Sequence, residues 1–519
     1  MGTQNRRFGA IRDLNSIEYK RIQLQTAIDN GKSIESRRRL GQFATPYELA
    51  QEIMDFGLAL QEQNEISFLE PAFGTGAFYS ALLSECGKQT KNINTAIGIE
   101  VDRDFYTAAN ELWGHTNINL VSGDFTEMDS FEKVNLLISN PPYVRHHYIA
   151  QEQKSRLAAM TKKETGISLS GLAGLYCYFI LSAHKWLAPK AICGWLIPSE
   201  FMDVNYGSKL KEYLLNKVHL LRVHRYNPEN CKFDDAMVSS CVVWFRNEIV
   251  EDNYDVEFSY GGTHENPELS RSVDRDTLKK SRKWTRFANN IDKDEPQSES
   301  APTIGDFFTI KRGLATGDND FFILSKEQIE ELDLDMDFFT PILPSPRHLK
   351  CDEVFGDQNG YPCLNTQYFL LSCKLPENEV KEHFPAIWNY LSGGIDTTAQ
   401  KYLCKNRKVW YYQESRVATP FLCSYMGRGS NEHTAPFRFI LNHTSAIATN
   451  SYLMLYPKAI LQEAIAQTPD ILHEIWNALS NITANDLESE GRVYGGGLKK
   501  IEPKELSYVK CPRLAELLV

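Results

Sequence analysis

The segment Ser139-Asn140-Pro141-Pro142-Tyr143 stands at the end of an apolar run, Asn135–Ser139, and its residue types suit one demanding reaction. Two successive prolines hold the backbone extended and remove two amide donors, which frees neighbouring carbonyls to accept hydrogen bonds. An exocyclic amine on a nucleobase is a poor nucleophile because its lone pair is delocalised into the ring. The Asn140 side-chain oxygen and the Pro141 carbonyl together are able to accept both of its hydrogens. That favours a pyramidal nitrogen with a localised lone pair, which is electrostatic preorganisation rather than base catalysis. Tyr143 then offers an aromatic face to the base. The bland alternative is a proline-stiffened loop with an asparagine cap, and the segments upstream decide between the two.

Three acids precede it at intervals set by strands. FLEPAFGTGAF (68–78) ends a strand in Glu70 and continues through a glycine turn, with Phe73, Gly74 and Gly76. Such a turn lets backbone approach a ligand, and a helix N-terminus behind it favours a carboxylate or phosphate. A dinucleotide fingerprint fails, because Tyr79 takes the place of its third glycine, and no GxxxxGK[ST] loop is present. GIEVD (98–102) closes the next strand in Glu100, a carboxylate suited to gripping a ribose diol. SGDF (122–125) follows a third strand. There Asp124 is placed to accept from an adenine amino group and Phe125 to pack on the ring. Ligands of a doubly wound sheet lie across the carboxyl ends of neighbouring strands, so the three acids share one crevice, which looks like an adenosine pocket.

Strands are expected at 66–70, 96–101, 118–123, 135–139, 192–197, 219–225 and 239–245, with helices or loops between most of them. This alternation predicts a doubly wound α/β sheet. The last two runs lie close together and predict an antiparallel, hairpin-like end of the sheet. Four regions follow: a polar helical lead-in over 1–40, a catalytic domain over 41–250, a connection over 251–300 and a separate α/β or β-rich domain over 301–519. A chain of 519 residues exceeds one ordinary domain, and 42% hydrophobic with 24% charged residues excludes wholesale disorder. No apolar run reaches bilayer length, and no signal peptide is visible, so a cytoplasmic protein without a membrane partner is expected. Eleven cysteines without a CxxC pair fit reduced thiols, and no metal-ligand cluster is expected. A net charge of −11 provides no global basic footprint, so any nucleic-acid contact must come from local patches.

The order GQFATP, EPAFGTGAF, GIEVD, GDF, NPPY resembles the gamma-class N6-adenine DNA methyltransferases of type II restriction–modification systems. The resemblance covers most of the chain. It implies a class I S-adenosylmethionine-dependent methyltransferase with a Rossmann-like doubly wound sheet, and a C-terminal α/β target recognition domain. The implied cofactor is S-adenosylmethionine, with no metal, held by Thr45, Glu70, Phe73, Gly74, Gly76, Glu100, Asp124 and Phe125. Thr45 and Pro46 are adjacent here, where the family spaces them. The implied catalytic residues are Asn140, Pro141 and Tyr143, and Phe233 resembles the residue that stacks on a flipped-out adenine. A lysine that some relatives carry after this Phe is absent. KRGLATGDNDFFIL (311–324) and RVYGGGLKKIEPKEL (492–506) look like pieces of the recognition domain, and Lys311, Arg312, Lys499 and Lys500 are candidate phosphate contacts. The implied partners are double-stranded DNA and a cognate restriction endonuclease in a prokaryotic cytoplasm, with the enzyme acting as a monomer. Alternatives are a modification or specificity subunit that needs a partner, a cytosine-N4 methyltransferase and a protein-glutamine methyltransferase, whose chains are much shorter. No segment typical of a fused nuclease is evident.

Overall fold

Side chains of a strand alternate between its faces, and in the N-terminal unit, Met1–Asp292, that alternation feeds two cores. The computed structural model describes residues 14–227, 240–287, 301–428, 437–494 and 498–518. Two helices, α1 (Leu14–Asn30) and α2 (Ile34–Leu40), come first. The strands are β1 (Glu65–Glu70), β2 (Asn92–Glu100), β3 (Ile118–Ser122), β4 (Val134–Ser139), β5 (Leu187–Pro198), β6 (His219–Arg225), β7 (Ser240–Arg246), β8 (Asp255–Tyr260) and β9 (Leu269–Asp274). They form one sheet in the order β3-β2-β1-β4-β5-β7-β6-β8-β9. Strands β1 to β5 are parallel, and β7 runs antiparallel between β5 and β6.

Phe68 of β1 and Leu136 and Ile138 of β4 enter one core, while Leu69 and Leu137 enter the other. Helices α3 (Tyr47–Leu60), α4 (Ala77–Lys88) and α5 (Arg103–Trp113) contribute buried residues to the first core. Helices α6 (Gln151–Thr165), α7 (Leu175–Ala183) and α8 (Ser208–Asn216) contribute to the second. The result is a doubly wound α/β sheet, as the alternation of strands and helices predicts. Its strand order reverses between β1 and β4, and such a switch point opens a crevice at the carboxyl ends of the strands.

Two features differ from the sequence expectation. β6 and β7 do pair antiparallel, yet they do not end the sheet, because β8 pairs parallel with β6 and β9 pairs antiparallel with β8. The region 251–300, expected as a connection, therefore holds two strands and a short helix, Arg275–Lys280. Only Val256, Phe258 and Val273 of its strands are apolar and buried. The opposite face is polar and pairs with itself, as Ser270 donates to Glu257 at 2.6 Å and Ser272 to Asp255 at 2.9 Å. Half of each strand therefore reads as linker.

The described residues of the second unit, Lys293–Val519, form three small sheets. Its strands are β10 (Phe308–Arg312), β11 (Ile323–Ser325), β12 (Phe339–Ile342), β13 (Glu353–Val354), β14 (Tyr368–Leu371), β15 (Phe421–Ser424), β16 (Met426–Arg428), β17 (Phe439–Asn442), β18 (Tyr452–Pro457), β19 (Arg492–Tyr494) and β20 (Leu498–Lys500). The largest sheet, β10-β18-β15-β17-β13, separates two cores. Leu422 and Met454 enter one, while Phe421 and Leu455 enter the other. All described cysteines are free thiols, and no helix of the described residues is long and apolar enough to cross a membrane.

Candidate active site

The carboxyl ends of β1 to β4 open into a cleft of about 430 Å³. Thr45, Glu70, Phe73, Gly74, Glu100, Asp124, Phe125 and Asn140 all stand on its walls. The turn after β1 is fixed from both sides. The Phe73 amide donates to the Ile99 carbonyl at 3.0 Å, and the Gly76 amide donates to the Phe73 carbonyl at 2.8 Å. Gly76 caps α4 at φ +85°, and a Cβ there would meet the Phe73 ring and Trp113 Nε1 at 2.7 Å. Gly76 thus shapes the turn without lining the cleft.

The acids carry unequal loads. Glu100 accepts from the Gly74 amide and the Asp102 amide, each at 2.7 Å, which ties the second strand end to the glycine turn. Burial pushes its carboxyl above the usual range. Glu70 is more deeply buried and its pKa is raised further, again by desolvation; its Oε2 finds no hydrogen-bond partner among the described residues. Asp124 Oδ1 accepts from the Thr126 amide at 2.8 Å and hydroxyl at 2.6 Å. Phe125 packs against Phe179 and Trp186, with ring centroids 5.4 and 5.8 Å away. Two desolvated acids around an unfilled acceptor favour a cationic ligand carrying hydrogen-bond donors.

Asn140 follows β4 directly. Its Nδ2 donates to the Phe43 carbonyl and to Thr45 Oγ1, both at 3.1 Å. Its Oδ1 is buried on the cleft wall without a hydrogen-bond partner among the described residues. The 41–45 segment that holds the amide lies close along the tetrapeptide. The Tyr143 amide donates to the Gly41 carbonyl at 3.1 Å, and a Cβ on Gly41, at φ +66°, would stand 2.4 Å from Tyr143 N. Only glycine fits there.

Tyr143 differs from its expected placement. Its ring is 9% exposed and packs beside Phe43, and its hydroxyl donates to the Leu196 carbonyl at 3.1 Å. Burial raises its phenol, which stays protonated. Pro142 and Val144 line the cleft, while Tyr143 and Pro141 do not. The bond to the Leu196 carbonyl holds the ring turned inward, away from the cleft.

The sequence reading missed one whole wall. Arg21, Gln25 and Asp29 of α1 line the cleft. Arg21 is buried in an ion pair with Glu18 and donates to Thr75 Oγ1 at 3.0 Å; that hydroxyl donates to Gln25 Oε1 at 2.9 Å. Lys32 pairs with Asp102, which also accepts from Gln42 at 2.9 Å and caps α5. The lead-in is therefore part of the site. The composition of α1 is mostly polar, so only the spacing of Glu18 and Arg21, which permits an ion pair, hints at burial.

Phe233 lies outside the described residues. In the second unit, Lys311 and Arg312 project from β10 and line a cleft of about 380 Å³ with Arg416 and Asn450. The Arg312 guanidinium stacks 4.0 Å from the Tyr425 ring centroid, and Lys500 Nζ lies 5.1 Å from the same ring. Lys499 is paired with Glu488, and Lys500 with Glu502 at 2.8 Å. The four cations are therefore not equivalent.

Two family models match the chain. Residues 46–231 match the Eco57I restriction-modification methylase, and residues 283–518 match the C-terminal domain of the type II methyltransferase M.Eco57I. Among curated proteins, type II methyltransferase M.AccI of Acinetobacter calcoaceticus is 26% identical over 507 residues, covering 92% of this chain and 86% of that protein. Type II methyltransferase M.XamI of Xanthomonas campestris pv. amaranthicola is 27% identical over 390 residues, covering 74% and 68%. Among solved structures, the type IIL restriction-modification enzyme MmeI in complex with DNA aligns at 13% identity and TM-score 0.49, over 87% of this chain and 61% of that one. The type IIG restriction endonuclease BpuSI aligns at 14% identity and TM-score 0.44, over 92% and 60%. This chain thus spans about three-fifths of the length of those two solved chains.

Proposed function

For a chain that belongs to the Eco57I-type restriction–modification methyltransferases, we propose transfer of a methyl group from S-adenosylmethionine to the N6 amine of an adenine in a specific DNA site. The observation that carries this reading is Asn140 Oδ1, an acceptor held on the cleft wall by an amide whose donors are already engaged. The cleft suits the cofactor, because Glu70 and Glu100 are desolvated acids beside a vacant carboxylate oxygen, which a cationic nucleoside with donor groups would satisfy. When bound, S-adenosylmethionine supplies an electrophilic methyl on a sulfonium.

In this reading Glu100 holds the ribose, Asp124 and Phe125 hold the adenine ring of the cofactor, and Thr45 and Glu70 flank its methionine end. Asn140 Oδ1, on the cleft wall, accepts one hydrogen of the target amine and localises its lone pair; the Pro141 carbonyl, which does not line the cleft itself, is assigned the second hydrogen of a base that reaches past Pro142. A cofactor held there would supply the methyl carbon and keep the carbon–sulfur electron pair on its sulfur, and the amine whose lone pair Asn140 localises would be the nucleophile. One amine proton leaves to water, and no covalent enzyme intermediate forms. The target must leave the base stack, at a cost of roughly a few kcal/mol that contacts to the flipped base offset. Phe233 is assigned the stacking role. Lys311 and Arg312 are assigned to phosphates. Lys499 and Lys500, each already paired with an acid, contribute less.

The test is methylation of a plasmid by the purified chain alone, followed by nucleoside digestion and mass analysis. N6-methyladenine from the wild-type chain supports the reading. Asn140→Ala should lower the single-turnover rate about 100-fold or more and change cofactor affinity little, as for loss of a preorganised group at the reacting centre. N4-methylcytosine, or no transfer without an added subunit, would overturn it.

A further inference from the structure

The second unit brings Glu353, His443 and His473 together although they are widely spaced in sequence. His443 Nε2 lies 2.9 Å and His473 Nε2 lies 2.6 Å from the same carboxylate atom, Glu353 Oε1. All three ligand-type atoms are within 4.8 Å of one another. We propose that these residues form a binding site for a divalent transition-metal ion, with Zn²⁺ as the fitting occupant. It is a site independent of the methyl-transfer chemistry.

Three features carry the inference. First, both imidazoles aim the same ring nitrogen at one point. A zinc ion bonds nitrogen and carboxylate oxygen at about 2.0–2.2 Å, which sets ligand atoms roughly 3.3 Å apart in a tetrahedron. The two imidazole-to-carboxylate separations, 2.9 and 2.6 Å, are hydrogen-bond lengths shorter than that spacing, so the Glu353 carboxylate must turn away from the rings for an ion to take the place of the two bonds. Second, each ligand is held by its own backbone. Glu353 is on β13, which pairs with β17, and the amide of His443 donates to the Val354 carbonyl at 2.9 Å. The His443 ring stacks on Phe355, with centroids 5.2 Å apart and planes 9° apart. His473 sits in the first turn of the helix Ile471–Ser480, which Trp476 anchors by donating to the Phe439 carbonyl at 2.9 Å. Third, the His473 side chain is 51% exposed, which leaves an entry path and room for water as a fourth ligand.

The site has mechanical sense. β13 is a two-residue edge strand, and an ion held by Glu353, His443 and His473 would clamp it and the helix to β17. A second group, Glu52, His224 and His264 in the first unit, is less suited. Its two imidazoles lie against each other, with centroids 4.4 Å apart and planes 36° apart. Their Nδ1 atoms contact Ser259 and Glu52.

The experiment is calorimetric titration of untagged, chelator-treated full-length protein with Zn²⁺, and in parallel with Mg²⁺, which prefers oxygen ligands. One zinc per chain is expected, with no comparable Mg²⁺ binding. His443→Gln and His473→Gln should each weaken zinc binding about tenfold or more. The exposed His473→Gln should also keep the wild-type thermal midpoint without metal and lose the rise that zinc produces. Absence of saturable zinc binding overturns the proposal. Binding unchanged in both variants, or binding lost in His264→Gln and kept in His473→Gln, also overturns it.

Discussion

Thr45→Val separates two jobs that one hydroxyl has been given. Thr45 Oγ1 is one of only two described acceptors for Asn140 Nδ2, at 3.1 Å; the other is the Phe43 carbonyl, also at 3.1 Å. Valine keeps the shape and removes the acceptor. A neutral hydrogen bond contributes about 0.5–1.5 kcal/mol net, and a donor left unsatisfied in a buried place costs about 1–3 kcal/mol. If the bond serves to keep Oδ1 facing the cleft, about 0.5 to 3 kcal/mol corresponds to a fall of roughly 2- to 150-fold in the rate of methyl transfer. Single-turnover quench at saturating cofactor isolates the chemical step, and equilibrium binding reports cofactor affinity. The expected result is a slower single turnover with a cofactor Kd changed less than about threefold, and recovery in Thr45→Ser, which restores the hydroxyl. In an Asn140→Ala background, Thr45→Val should slow transfer no further, because the two residues act through one interaction. A Kd raised tenfold with an unchanged single-turnover rate would refute the positioning argument and leave Thr45 a cofactor ligand alone.

Glu100→Gln removes the charge and one acceptor from a carboxylate that both oxygens use at 2.7 Å, so cofactor Kd should rise about tenfold or more, measured by fluorescence or calorimetry. Cofactor binding should also tighten as pH rises. Both Glu70 and Glu100 have raised pKa values through burial, and a cationic ligand favours their ionised forms, so binding releases protons and calorimetry in buffers of different ionisation enthalpy would detect them. Stability of the ligand-free protein runs the other way. A carboxyl with a raised folded pKa favours the native state most below its unfolded pKa, and that contribution is lost as pH rises through the folded value. Melts of Glu70→Gln should therefore depend less on pH than those of the wild type. Finally, Arg312→Ala should weaken binding to DNA of any sequence and reduce the salt slope by about one, while Lys499→Ala, whose cation is already paired with Glu488, should change the slope little.

What the sequence made legible was local. The strands ending in Glu70, Glu100 and Ser139 are short apolar runs, and the sheet carries their ends to one rim whatever lies between them. The residues that follow such ends are read from spacing alone. Arg21 and Gln25 were not readable in that way, because α1 is held by an ion pair and by Thr75 rather than by an apolar stripe. β8 and β9 were lost for a related reason: with one face polar and largely paired across the two strands, each offers too few apolar residues to stand out from a linker. Glu353, His443 and His473 have no spacing that a motif would capture, since register between β13 and β17 and the docking of one helix bring them together.

The orientation of Asn140 joins the local and the distant parts. The tetrapeptide determines that an amide stands at the end of β4, but an amide has two faces, and only one of them accepts hydrogen bonds. Here the choice is made 97 and 95 residues earlier in the chain, at Phe43 and Thr45. Gly41 lets backbone lie against Tyr143, which places the Phe43 carbonyl and the Thr45 hydroxyl where they take the two amide hydrogens. Turned over, Oδ1 would face the Phe43 carbonyl, an acceptor against an acceptor, and the cleft would receive donors instead. A base amine presents donors, so that orientation would repel it. The leading GQFATP segment therefore orients the acceptor as well as lining the cleft, and under the proposed function a substitution around Gly41 should lower the rate through an atom that segment does not carry.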